Sequence, residues 1–471
     1  MKTMKRILSL VLVLTLLTLA LPTLASCGCG KNKKVSAKIG VIRGDASSVE
    51  ALAWENYLKD LSAEMGVKIN FSTAIESADQ ELQAVQSYGS QGYNGILAMT
   101  SYNPTTLLEK CEEYKMYLVI GAAHPDFEES ENSISRDPNV IIRDYTPYPH
   151  YVGATGPSHY SEVLAGYEMG KAGVSAGFTK YSVFTGAAAY GQMMHALRIA
   201  GWFAALHDDD PSVSYGGVEC TLANWKTVTE RLQADFGVNL SKFSSNKYKI
   251  LAQAGGYQFL QGDSTAKAAV SYLTSAPGVE CVFCAGSSDA VSNLEPAGSS
   301  VKYIGNDSLG GTFESLFSSG KLIFDIAKYN SYLGPAFALL LKSIYQDSAV
   351  RIDGEPVSIE QASLSITQAS DYTTIGGVEN KTGGYFFSSE FLSAYLTEAD
   401  IGENASGYTK ITDDAFIRIA GGAATLGEGG LYETTRAVSE AYTAAGHSIF
   451  VFSEQETGNE HENAQAQANV K

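Results

Sequence analysis

"VKINFSTAIESADQELQAVQSYGSQGYNGILAM", residues 67–99, changes its hydrophobic period twice. Residues 67–73 alternate apolar and polar side chains, the two-residue repeat of a strand. Residues 79–92 carry the spacing of a helix, and residues 94–99 return to a strand. Strand, helix and strand in segments of this length make a βαβ unit, whose strands lie parallel.

On both sides of this unit the same alternation continues. Residues 37–42 read as a strand and 47–66 as an amphipathic helix ending at Gly66. Residues 104–115 are a helix with Pro104 at its start, and 116–121 a strand. A proline- and tyrosine-rich connection, 143–156, follows. The pattern resumes with a helix at 161–173, a strand at 181–186, the helix around Arg198, a strand at 213–220 and a helix from about Asn224. Next come strand 247–253, helix 264–276, strand 279–286, a short helix from Ser288, strands 301–307 and 321–328, and a long helix, 331–346. The chain therefore reads as α/β: two doubly wound parallel-sheet lobes joined in series by a hinge. Residues 37–155 form the N-terminal lobe, completed by about 328–350, and 156–327 the C-terminal lobe. In a C-terminal extension, 351–450, residues 357–366 read as strand and 388–399 as helix, and the extension completes the lobes. Residues 451–471 are polar, poor in apolar side chains, and expected to be disordered.

A chain of 471 residues, 45% hydrophobic and 18% charged, has the composition of a globular protein with large cores. Its formal charge of −18 argues against nucleic acid or an anionic membrane face as partner. The start of the chain says where it goes. Lys2, Lys5 and Arg6 precede an apolar run, Ile7 to Leu21, and then Leu24-Ala25-Ser26-Cys27. A secretory signal ends in small residues before its cleavage site. The run is short for a membrane span and Pro22 interrupts it. A cysteine directly after the cut resembles the lipobox of bacterial lipoproteins, which implies lipidation of Cys27. Residues 1–26 are then a signal peptide and 27–36 a lipidated tether; losing three positive charges from −18 leaves −21.

Five further cysteines, Cys29, Cys111, Cys220, Cys281 and Cys284, are too few and too odd in number for a disulfide scaffold. Cys281 and Cys284 have the spacing of a redox or zinc pair. They sit in a strand, where residues three apart point to opposite faces, and no second Cys or His pair stands nearby. Packed free thiols are the expectation, with no metal and no cofactor.

Five stretches in order resemble the type I periplasmic binding proteins, the ribose- and galactose-type sugar receptors and the ligand core of the lac repressor family. The likeness covers roughly residues 37–350. "QELQAVQSYGSQGYNGILAMTS" is similar to that family's helix and strand before its first-lobe ligand loop. "YVGATGPSHYSEVLAGYEMG" resembles its hinge and the helix opening the second lobe. "RIAGWFAAL" resembles its Arg-x-x-Gly-aromatic helix, whose arginine reaches the cleft. "CVFCAGSSDAV" and "YIGNDSLGG" resemble its two strands that end in acidic loops. Two departures stand out: Ser288 where the family commonly has asparagine, and Lys328 where many of its members have glutamine.

Ligands of open α/β sheets bind outside the carboxyl ends of the strands. Those ends offer Arg43 and Asp45, then Ser101, Tyr102 and Asn103 from the first lobe. From the second come Tyr190, Arg198, Ser288, Asp289, Asp307 and Lys328. Carboxylates and amides grip hydroxyl pairs, a guanidinium donates to several oxygens, and aromatic rings cover the C–H faces of a sugar. Arg198 stands among Leu197, Ile199, Trp202 and Phe203 and must be paired. Either it meets Asp289 or Asp307 and ligand oxygens in the cleft, or it pairs with an acid inside its lobe. Asp45 either meets the ligand or caps the following helix, and His124, His159 and Tyr160 are weaker candidates. Lys328 either pairs with Asp307 or holds an anionic ligand group.

No Gly-x-Ser-x-Gly, Walker A or His-Glu-x-x-His motif is present, and the Ser264 region reads as a helix cap rather than a nucleophile. The resemblance implies a monomeric, non-enzymatic solute-binding protein of an ABC importer, held on the outer face of the bacterial membrane. It would close its lobes over a sugar and present the closed form to a permease. A nucleoside-binding lipoprotein, or a ligand sensor for a membrane kinase, is the alternative with the same fold.

Overall fold

In a computed structural model the chain is described over residues 35–420, apart from 45, 47, 100, 123–144, 158, 186–191, 236, 256–270, 287–299, 307–310, 362, 383–384, 397–412, 414–415 and 418–419. The signal, lipidation and tail expectations, including Cys27, lie outside the described residues, as do the helix expected from Ser288 and most of that at 264–276.

β1 (Lys38–Arg43), β2 (Lys68–Ala74), β3 (Gly95–Ala98), β4 (Tyr117–Ile120) and β5 (Tyr151–Gly156) alternate with α1 (Val49–Met65), α2 (Ala78–Ser90) and α3 (Pro104–Tyr114). With β14 (Arg351–Ile352) and β15 (Glu355–Glu360) they build a sheet of order β14-β15-β5-β4-β3-β1-β2. The second sheet uses β6 (Lys180–Thr185), β10 (Lys249–Gly255), β11 (Cys281–Cys284), β12 (Lys302–Asn306), β13 (Leu322–Ala327) and β16 (Leu364–Ile366), in the order β10-β6-β11-β12-β13-β16. Both sheets thus place their second strand outside the first and run on through the third, fourth and fifth. This is one of the two common doubly wound orders. Only β14 and β16 pair antiparallel within these sheets.

Two core layers flank each sheet because central strands such as β3 and β11 are buried on both faces. Ile39 and Val41 of β1 join a core with Trp54, Tyr57 and Leu58 of α1, while Ile42 joins another with Val85 of α2 and Leu107 of α3. In β11, Cys284 and Val282 face one core and Cys281 and Phe283 the opposite one. Cys111, Cys220, Cys281 and Cys284 are all buried free thiols. Burial pushes Cys220 up to about 12 and Cys111, Cys281 and Cys284 well above the ordinary thiol range, which makes them inert.

α4 (His159–Ser175), α5 (Gln192–Asp209), α6 (Trp225–Ala234) and α7 (Gly311–Ser318) belong to the second lobe. α8 (Gly334–Gln346) returns to pack on β3, β4 and β5 of the first, α9 (Ala369–Val378) packs on α7, and α10 (Ser389–Tyr395) packs on α1 and α8. Among the described residues the chain therefore passes between the lobes four times: β5 to α4, β13 to α8, β15 to β16, and α9 to α10.

Two segments differ from the sequence reading. Residues 213–220 are not one strand but a hairpin, β7 (Ser214–Tyr215) and β8 (Val218–Glu219), joined by Gly216 (φ 56°) and Gly217 (φ 82°). Two successive positive φ values are what a tight hairpin turn demands and what glycine supplies. With β9 (Phe243–Ser244) this hairpin forms a small third sheet. Residues 357–366 likewise divide. β15 ends on the first sheet and β16 starts on the second, so the break at Gln361 is a passage between lobes.

Candidate functional site

The second lobe's strand ends are organised around Arg198. α4 and α5 cross with almost no space between their backbones. A Cβ at Gly166 would fall on the Arg198 carbonyl oxygen, and one at Gly201 on that of Val163. Glu162 lies one turn before Gly166, so the close crossing brings its carboxylate onto the guanidinium. Arg198 Nε donates to Glu162 Oε2 at 2.6 Å and Nη2 to Oε1 at 3.2 Å. Its Nη1 donates to the Ala285 carbonyl at 3.1 Å, just beyond the C-terminal end of β11. At 2% exposure this is a buried, bidentate, charge-assisted pair.

Arg198 thus stands at the carboxyl edge of its sheet, and its observed carboxylate is Glu162, an acid of its own lobe that the sequence reading does not single out. Beside it, His195 is buried against Gly286, whose Cβ position lies 3.3 Å from His195 Cε1. Asn306, the last residue of β12, donates through Nδ2 to the Ala285 and Gly286 carbonyls at 3.3 and 3.1 Å. These bonds hold the adjacent ends of β11 and β12 in one rigid edge. His159 is buried in the same lobe, and Tyr160 packs on Trp225 with ring centroids 5.9 Å apart.

In the first lobe the organising residue is Glu81 of α2, buried and unanticipated from sequence. Its carboxylate accepts from Ser101 Oγ at 3.1 Å and from the backbone N–H groups of Tyr102 (3.2 Å) and Asn103 (3.0 Å). Asn103 is the N-cap of α3, its side chain accepting from Thr106 N at 3.1 Å. A carboxylate at a helix N-terminus satisfies orphan donors and complements the dipole. Tyr102 OH donates to the Ile75 carbonyl at 3.1 Å. Ser101 and Tyr102 therefore shape the loop after β3 by bonds within their own lobe. Arg43 does the same: it pairs with Glu55, its Nε donates to the Ser72 carbonyl at 3.0 Å, and it lies over the Phe71 ring. Burial acts to raise Glu55, but bonds from Lys59 and Arg43 outweigh it and hold that carboxyl below its usual value. The α1 N-cap is Ser48, which accepts from Ala51 N at 3.1 Å, so the capping role weighed for Asp45 belongs to Ser48.

Lys328 follows β13 directly and is 7% exposed. Its ammonium stands 4.0 Å from Glu50 Oε1, in the first turn of α1 and hence beyond the carboxyl end of β1. The carboxyl edges of the two sheets therefore face each other, and an ion pair spans them. The acid observed beside Lys328 is Glu50 of the other lobe. Asp45, His124, Tyr190, Ser288, Asp289 and Asp307 lie outside the described residues. Among the described residues no group of three or more His, Cys, Asp or Glu is placed to hold a metal, and no helix is long and apolar enough to cross a membrane.

Glu162, Glu81 and Glu50 are the residues that sequence reasoning missed. The first had a signal: Glu162, Gly166 and Gly170 recur at four-residue spacing, opposite Arg198 and Gly201 three apart. Acid and glycines share a helix stripe that fits the arginine's helix.

No family model matches the chain, and no curated protein matches it. Among solved structures it is similar to a galactofuranose binding protein, at 12% identity over 73% of this chain and 100% of that one, with a TM-score of 0.48. A Caulobacter myo-inositol binding protein gives 15% identity, 74% and 99% coverage and a TM-score of 0.48. The periplasmic binding component of an arabinose ABC transporter from Shewanella sp. ANA-3 gives 11% identity, 72% and 95% coverage and a TM-score of 0.46.

Proposed function

We propose that this chain is an extracytoplasmic solute-binding protein of an ABC importer, lipid-anchored at Cys27, that closes its two lobes over one small neutral sugar. The observation carrying this reading is the opposition of the two carboxyl edges, bridged by Lys328 and Glu50 at 4.0 Å. Ligands of doubly wound sheets bind at such edges. Closure is then a population shift, since a ligand between the lobes touches both only in the closed state.

Each edge contributes in character. Arg198, held by Glu162 at the carboxyl edge of the second sheet, is assigned to donate to ligand oxygens, and Tyr190, Asp289 and Asp307, with Ser288, are assigned to the same ligand set. Lys328, with Glu50 beside it, is neutralised by the protein, which favours an uncharged ligand over a sugar acid. Arg43, Ser101 and Tyr102 support this edge through the bonds that shape it. The permease, the outer membrane-face location and the monomeric state belong to the same proposal, as do a signal at 1–26 and a tether at 27–36.

A thermal-shift screen of the mature chain against neutral monosaccharides, sugar acids and nucleosides tests it. A ligand at one hundred times its Kd stabilises the folded state by about 2.7 kcal/mol. A neutral monosaccharide is expected to raise the melting temperature. A shift with sugar acids alone reassigns Lys328 as an anion holder, and no shift in any class removes the sugar reading. For the anchor, Cys27→Ser is expected to leave an unlipidated precursor; a processed, acylated mutant would refute it.

A further inference from the structure

The connections between the lobes enclose a carboxylate that the strand-end site does not use. Glu379 directly follows α9, opens the fourth connection and is 3% exposed. It accepts from Ser331 N at 2.7 Å, Ser331 Oγ at 3.0 Å and Phe386 N at 2.6 Å. Ser331 lies in the second connection and Phe386 in the fourth, so one carboxyl group clasps two of the four passages. Asn330 Nδ2 donates to the Glu379 carbonyl at 2.7 Å, and Phe387 N to Ser331 Oγ at 3.2 Å. The other passages are tied in. Gln361 Nε2 donates to the Tyr332 carbonyl at 2.9 Å, and Gln361 N to the Gly156 carbonyl at 2.9 Å. From the first lobe, Tyr57 OH donates to the Phe387 carbonyl at 2.8 Å.

The donors to this carboxyl are all neutral. The titratable groups that act on it are Tyr57 of α1, Tyr329 of the second connection and Tyr385 of its own segment, and Asp60 and Glu64 of α1 and Lys381 stand behind these tyrosines. Lys381 pairs with Asp60 at 2.8 Å, and Tyr385 OH donates to Asp60 at 3.0 Å, so the nearby cation is spent on another acid. We propose that Glu379 is a proton-operated clasp of the hinge: protonated, it holds the second and fourth connections together in the buried arrangement, and ionised, it favours a loosened hinge in which water reaches it.

Burial outweighs the Ser331 and Phe386 bonds and pushes the carboxyl up to about 7 from its ordinary 4.5. A buried state with the higher affinity for protons is favoured at low pH. Its advantage is full below the ordinary carboxyl value and is lost as pH rises through about 7. The clasped-to-loosened ratio should fall by up to a few hundredfold across that window, the factor that such a shift in proton affinity allows. The Ser331 hydroxyl accommodates either form, donating to the carboxylate or accepting from the acid.

Small-angle X-ray scattering of the ligand-free mature chain at pH 5.5 and 8.5 tests this without any ligand, and so independently of the sugar reading. The wild type is expected to have the larger radius of gyration at pH 8.5. Glu379→Gln, which cannot ionise, should keep the low-pH value at both. An unchanged wild-type radius, or an undiminished response in Glu379→Gln, overturns the proposal. Ser331→Ala removes one donor to the carboxylate and should move the midpoint of the response to higher pH. If Glu379→Gln does not fold, an unmoved midpoint in Ser331→Ala overturns it instead.

Discussion

Arg198 shows how a single buried charge constrains a lobe. Removing one member of a buried, bidentate pair leaves the other desolvated and uncompensated, which costs about 3–5 kcal/mol. Arg198→Ala is therefore expected to lower the stability of the second lobe by that amount, and Glu162→Ala comparably. Combining Arg198→Met with Glu162→Leu should recover much of the loss, because apolar groups of similar volume avoid the desolvation cost. Urea midpoints of the two single variants and the double variant check this. Single losses under about 1 kcal/mol would mean that the pair is hydrated in solution and holds little. The reading of Arg198 as a residue needing a counter-charge was available from its apolar neighbours alone. Which acid answers it was not, since the order of residues puts Asp289 and Asp307 just after expected strands, whereas Glu162 stands inside a helix.

At the scale of elements, α4 and α5 can approach only because both carry glycine at the crossing. Gly201→Ala would place a methyl group on the Val163 carbonyl oxygen. The helices must then separate, which costs about 1–3 kcal/mol as overpacking and loosens the Arg198–Glu162 pair as well. Gly376→Ala in α9 is the contrast, since nothing lies within 4 Å of its Cβ position. There the better helix propensity of alanine should add about 1 kcal/mol. Thermal melts of the two variants should move in opposite directions; equal shifts would show that the helix crossing does not depend on Gly201. Element type was largely legible from hydrophobic period, and the exceptions are instructive. In "VSYGGVEC" two glycines turn the chain within an apparent strand. In "VSIEQASLSI" the alternation continues while the chain leaves one sheet for the other.

For the whole molecule, the largest core is shared between lobes. Ile39, Leu97 and Val119 of the first sheet and Phe184, Val282 and Tyr303 of the second belong to one packed cluster. Trp54, Tyr329, Tyr332, Phe386 and Phe387 fill it where the connections pass. Trp54 and Tyr332 stack at 5.9 Å, and Trp54 Nε1 donates to the Tyr329 carbonyl at 3.3 Å. Lobes joined by so much common apolar packing should unfold together. Calorimetry is expected to give one transition with matching calorimetric and van't Hoff enthalpies. Two resolved transitions would show that the shared cluster is weaker than either lobe's own core.

The class of fold and the division of its strands between two mainly parallel sheets could be read from the order of residues. Side-chain period and turn chemistry are local: each relates residues a few positions apart, and their succession dictates a parallel sheet. The same reading marked Arg198 and Lys328 as charges in need of partners. Packing in three dimensions chose those partners. Glu162 is 36 positions from Arg198 and Ser331 is 48 from Glu379, while Glu50 meets Lys328 across the lobe boundary. Such pairings depend on which helix faces which and where four connections converge. No repeat along the chain encodes that, because the distance between two charges in space is set by packing of the elements that carry them.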